Sequence, residues 1–153
     1  MDLKKLLILD LDETLIHTSY SPISGIEFKA HRHLFYLYER PYLSEFLERY
    51  KSDYSLAIWS ASKLDYVRWI IKSTVLCNYE FTFIHSRRNC KRINSMNGSV
   101  EYQKDISPYI EKYDKVLVLD DFPKMVTPIK NAIKISEFRG STTDIELLNI
   151  SLE

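Results

Sequence analysis

Three short apolar runs punctuate the chain: KLLILDL at residues 5–11, YSLAIW at 54–59 and KVLVL at 115–119. Each has the near-continuous hydrophobicity of a strand buried on both faces. Weaker runs of the same kind occupy residues 80–84 and 132–135. Between the runs the apolar spacing becomes helical. Leu43, Phe46, Leu47 and Tyr50 fall at i, i+3, i+4 and i+7, and Leu64, Val67, Ile71 and Val75 form a second stripe. Helix starts are marked by Pro41, by Ser62 with Asp65, by Ser107 with Pro108 and by Thr143 with Glu146. Strands alternating with helices predict an α/β fold, a doubly wound parallel sheet whose ligands bind at the carboxyl ends of its strands. The chemistry is expected just after each strand.

One segment departs from the alternation. Residues 26–30 and 34–38 are two short runs around His31, Arg32 and His33, which predicts a β-hairpin inserted at about residues 24–38 with HRH at its tip. Such a hairpin would overhang the site. No repeat or Gly/Ser linker interrupts the rest, and only three glycines occur, so a single domain over residues 1–153 without a large cap is expected.

Composition narrows the class. A chain of 153 residues, 45% hydrophobic, can enclose one substantial core. Basic and acidic residues balance at 21 each, which gives no electrostatic reason to expect direct nucleic-acid or membrane binding. The acidic residues inside the first apolar run spoil it as a signal peptide and the run is too short to span a bilayer, so a soluble intracellular protein is expected, cytoplasmic or nuclear. Cys77 and Cys90 form no CxxC pair and no zinc-like cluster with histidines, and read as reduced thiols.

Asp10 and Asp12 follow the first run with one residue between them. Two such carboxylates suit a hard cation, a nucleophile paired with a general acid, or a calcium loop. The calcium loop fails, because Leu15 and Ser21 stand where its glycine and glutamate are required. A second acidic pair, Asp120 and Asp121, ends the run VLVL and falls on the same rim of the predicted sheet. Crowded carboxylates call for a divalent cation, and oxygen-only ligands favour Mg2+. Magnesium commonly shares a phosphate oxygen, which points to a phosphorylated substrate; Lys104 and Ser60 supply a cation and a hydroxyl for a phosphoryl group.

The ordered blocks DLDETLIH, RPYLSEFL, WSAS, RRNC to YQKDIS, and VLDDFP resemble the haloacid dehalogenase superfamily. Within it they resemble the branch of RNA polymerase II C-terminal-domain phosphatases and NLI-interacting-factor-like proteins, over roughly residues 6–139. The resemblance implies that Asp10 attacks phosphorus to give an aspartyl phosphate and that Asp12 serves as acid and then base. It implies that Ser60 and Lys104 orient the phosphoryl group. Magnesium would be held by the Asp10 carboxylate, the Asp12 main-chain carbonyl and the Asp120/Asp121 pair, either of which could touch the ion. Arg87 matches a family arginine and reads either as a substrate ligand or as a solvated surface residue. Tyr66 matches a family tyrosine to which no role is assigned, and Thr14 is expected to bond the turn backbone.

Two departures bear on the substrate. Asp121 stands where the small phosphatases of this branch often have Asn, and the inserted hairpin is shorter than theirs. The leading expectation is a phosphomonoesterase acting on phosphoserine or phosphothreonine in a protein or peptide. The alternatives are a phosphatase for small esters such as nucleotides or sugar phosphates, and a noncatalytic binding module on the same fold.

Overall fold

The computed structural model describes residues 4–152, so residues 1–3 and 153 of the expected domain lie outside the described residues. In chain order the first half contains β1 (Lys5–Leu9), β2 (Ile16–Ser19), β3 (Ala30–Arg32), β4 (Phe35–Glu39), α1 (Leu43–Tyr50), β5 (Ser55–Trp59) and α2 (Leu64–Ser73). The second half contains β6 (Ile84–His85), β7 (Lys91–Asn94), β8 (Val100–Asp105), α3 (Ser107–Ile110), β9 (Lys115–Asp120), β10 (Val126–Thr127), β11 (Ala132–Lys134) and α4 (Glu146–Asn149). The central sheet is parallel, in the order β11-β9-β1-β5-β6. The chain winds outward from β1 in one direction through β5 and β6, then returns to build β9 and β11 on the other side. That reversal makes the carboxyl ends of β1 and β9 the switch point of the sheet, as the alternating pattern predicts.

The pleat of β1 explains the two layers. Leu7 and Leu9 point into a core shared with Phe46 and Leu47 of α1 and Val67 and Ile70 of α2. Leu6 and Ile8 point the other way, into a smaller core with Trp59, Ile106, Val118 and Val126. A strand buried on both faces has no polar side to show, which is why the run reads as continuous hydrophobicity.

Several local expectations are corrected. The HRH triplet is not the hairpin tip: His31 and Arg32 lie in β3, and His33, with a left-handed φ of 54°, turns the chain with Leu34. Residues 26–29 form no strand, and β2 joins the hairpin to make a three-stranded sheet in the order β2-β4-β3. Helix α2 ends at Ser73, so Val75 belongs to a separate 3-10 turn and Ile70 rather than Ile71 is buried. Lys104 sits within β8, a strand that the apolar pattern does not announce, paired on one edge with β7 and on the other with β10.

Candidate active site

Register brings the acids together. Leu9 of β1 lies opposite Leu119 of β9, so the residues that follow each, Asp10 and Asp120, emerge side by side. The Asp10 amide donates to the Leu119 carbonyl at 3.1 Å and fixes the strand end. Beyond it the chain wraps around one carbonyl: Leu11 O accepts from the amides of Thr14, Leu15 and Ile16 at 2.9–3.1 Å. Glu13 takes a left-handed φ of 64° to close this turn. The turn aims the Thr14 hydroxyl back at the acids, within 3.0 Å of both Asp10 Oδ2 and Asp121 Oδ1, while accepting from the Asp121 amide at 3.1 Å.

Lys104 reaches in from β8. Its Nζ donates to Asp10 Oδ1 at 2.9 Å and to Asp120 Oδ2 at 2.8 Å, and all three groups are buried. An ammonium carries three donors, so one remains for a ligand. Burial alone would lower the Lys104 pKa, but Asp10 and Asp120 more than reverse that and hold it above the ordinary range. Burial raises Asp10 to about 6 against the opposing pull of Lys104, and raises Asp120 to about 6 with Asp10 adding repulsion. Asp121 is raised chiefly by burial as well.

Asp12 faces a different set of partners. Tyr66 Oη donates to Asp12 Oδ1 at 2.5 Å and Ser62 Oγ donates to Asp12 Oδ2 at 2.9 Å. Burial raises the Asp12 pKa, and these two hydrogen bonds pull it partly back. Asp10, Asp12, Lys104, Asp120 and Asp121 line one cavity of about 270 Å³, whose remaining wall is formed largely by Ala61, Val100, Tyr102, Phe122 and Met125. Ser60 does not line the cavity: it is fully buried, one residue before the lining Ala61, with Oγ accepting from the Ser62 amide at 3.0 Å. Arg87 does not line the cavity: its Nε donates to Ala61 O at 2.8 Å and its guanidinium lies 4.8 Å from the Tyr102 ring centre. It braces the loop that carries Ser60.

Three functional contacts escaped the sequence reading. Ser62 reads as a helix cap, yet α2 makes no side-chain cap and the hydroxyl serves Asp12. Thr14 touches two carboxylates in addition to a backbone amide. Tyr66 carried the only advance signal, its place in a family block.

One carboxylate oxygen from each of Asp10, Asp120 and Asp121 lies within 4.8 Å of the others. A tight set of oxygen donors suits a hard divalent cation, so the residues present fit Mg2+. The Asp12 carboxylate is not in that set.

A doubly wound parallel sheet with carboxylates and a buried lysine gathered at its switch point is the arrangement that the resemblance to haloacid dehalogenase phosphatases implies. More narrowly, the model of the NLI interacting factor-like phosphatases matches residues 5–152, and the chain belongs to that family. It is 28% identical over 162 residues to the human CTD small phosphatase-like protein, covering 96% of this chain and 54% of that protein. It is 31% identical over 156 residues to nuclear envelope morphology protein 1 of Schizosaccharomyces pombe, covering 96% of this chain and 32% of that one. The chain thus spans about half, or less, of the length of these relatives. The solved structure of Fcp1, an essential RNA polymerase II CTD phosphatase, shares the fold with a TM-score of 0.66 at 21% identity, over 90% of this chain and 42% of that one. Among the described residues no helix is long and apolar enough to cross a membrane.

Proposed function

We propose that the chain removes phosphate from phosphoserine or phosphothreonine in a protein or peptide, with Asp10 as nucleophile and Asp12 as acid and base. The observation that carries this reading is the Lys104 bridge between Asp10 and Asp120 at 2.9 and 2.8 Å, a cation buried beside a carboxylate at the floor of a cleft.

Asp10 attacks phosphorus as the bond to the leaving oxygen breaks, and Asp12 gives its proton to that oxygen. Asp12 then takes a proton from a water that attacks phosphorus, the bond to Asp10 breaks, and inorganic phosphate leaves. Burial favours the protonated Asp12 of the first step; the hydrogen bonds from Tyr66 and Ser62 favour the carboxylate of the second. The third donor of Lys104 and the hydroxyl of Ser60 are assigned to phosphoryl oxygens, where they offset developing charge. Asp10, Asp120 and Asp121, with the Asp12 carbonyl, would hold Mg2+, which when bound neutralises charge on the phosphoryl group.

A protein substrate is favoured by the form of the cleft. Val100 and Phe122 on its rim are 38% and 49% exposed, so the walls stay open to a passing chain. We place that substrate inside the cell, in keeping with the free thiols Cys77 and Cys90 and with relatives named for polymerase and nuclear-envelope roles. The test compares kcat/KM for phosphoserine and phosphothreonine peptides with that for a panel of nucleotides and sugar phosphates, all with Mg2+. Peptides are expected to exceed every metabolite. A preferred metabolite would overturn the substrate class, and no phosphate release from any ester would overturn the enzyme.

A further inference from the structure

One strongly charged surface has no part in the phosphoryl transfer described above. Arg32 of β3 and Arg68 and Lys72 of α2 line, with Trp69 and Asp65, a cavity of about 440 Å³. Arg68 and Lys72 stand one helical turn apart and share a face. Three cations against one acid give this patch an excess positive charge in a chain whose basic and acidic residues balance at 21 each. The side chains of Arg32, Arg68 and Lys72 make no ion pair or hydrogen bond among the described residues. Three like charges against one carboxylate repel, and a bound anion would relieve that repulsion.

The patch adjoins the cleft. The Trp69 ring lies 6.1 Å from the Tyr66 ring, and the Tyr66 hydroxyl is on Asp12. On the other side Phe35, cross-strand neighbour of Arg32, packs edge-on against Tyr66 at 5.4 Å. Two guanidinium groups and an ammonium on one cavity offer the donors that suit a phosphate, which accepts paired hydrogen bonds from arginine. RNA or an anionic membrane would call for a broad basic face, whereas these cations ring a single cavity.

The geometry points to a binding site for a second phosphorylated side chain of the same substrate whose first phosphate occupies the cleft. This rests on the phosphoprotein reading above. The Trp69 and Tyr66 rings link the patch to Asp12, and an extended chain advances about 3.3–3.6 Å per residue, so the second phosphorylated position would lie a few residues from the first.

The experiment measures binding of fluorescent phosphoserine peptides to the full chain in EDTA, where turnover is absent. Peptides carry one phosphate, or a second placed two to six residues to either side. The wild type is expected to bind one doubly phosphorylated spacing about tenfold more tightly, ~1.4 kcal/mol. The R32E/R68E/K72E variant is expected to lose that preference while keeping its affinity for the singly phosphorylated peptide and its circular dichroism melt. The neutral R68Q/K72Q variant, which guards against misfolding of the reversal, is expected to lose most of it. No preference at any spacing, or a preference that survives the reversal, overturns the inference. So does a reversal that abolishes binding only of single-stranded RNA or phosphatidylserine vesicles. Because binding is read without turnover, a failure of hydrolysis would sink the enzyme reading and leave the preference measurable.

Discussion

The Tyr66 hydroxyl lies 2.5 Å from Asp12 Oδ1, so the proposed proton carrier is held by a phenol from the second helix rather than by its own loop. The bond favours the ionised carboxylate, and without it the Asp12 pKa rises further. Tyr66→Phe is expected to lower kcat about ten- to a hundredfold, the equivalent of ~1.5–3 kcal/mol for a hydrogen bond to a charged group. KM should change little. The limb of the kcat–pH profile governed by Asp12 should move to higher pH, and Ser62→Ala should move it the same way. A loss of activity with an unmoved profile would reduce Tyr66 to a packing residue.

Asp10 and Asp120 are both raised from the ordinary 3.8 to about 6, chiefly by burial. A carboxyl raised in the folded state stabilises it below the ordinary pKa, and that stability is lost as pH rises through the folded value. Metal-free protein should therefore lose stability between about pH 4 and about pH 6. Each group should contribute on the order of 3 kcal/mol to the loss, at about 1.4 kcal/mol per pH unit. Magnesium takes the ionised forms, so its stabilising effect should be greater at pH 7 than at pH 5. Urea unfolding across this range, with EDTA and with Mg2+, checks both signs; stability rising from pH 4 to 6 in EDTA would contradict them.

Parts of this site were legible in the sequence and parts were not. Residues 5–11 and 115–119 announce buried strands, and their acids follow directly, so Asp10 and Asp120 needed only parallel register to meet. Lys104 was legible as a residue but not in its setting. Lys91–Asn94 and Val100–Asp105 are short strands rich in charge, and their one clear signal is the Asn97-Gly98 turn between them. Ser62 misled because a serine before an apolar stripe usually caps a helix, and only the fold reveals a carboxylate competing for its hydroxyl. The HRH triplet misled by one residue, since hairpin register depends on which residue takes positive φ, and here that is His33.

Arg40 links the turn after β1 to the C-terminal segment. Its Nη1 donates to Thr14 O at 2.9 Å, its Nη2 to Ser136 O at 2.8 Å, and Nε and Nη2 grip both oxygens of Asp144 at 2.9 Å. It is almost wholly buried. Arg40→Ala strands the Asp144 carboxylate and two carbonyls, with an expected cost of about 3–5 kcal/mol in urea unfolding. Arg40→Lys should recover only part of it, because an ammonium cannot form the fork. A cost below about 1 kcal/mol, the level of an exposed ion pair, would contradict this role.

The central claim is that Asp10 becomes phosphorylated, and acid-quench trapping tests it most directly. Enzyme mixed with Mg2+ and a labelled phosphopeptide, quenched within the first turnover, should carry acid-stable, hydroxylamine-labile label. Peptide mapping should place that label on Asp10, and Asp10→Asn should carry none and release no phosphate. Rapid turnover with no label on Asp10, or full activity in Asp10→Asn, would contradict the account.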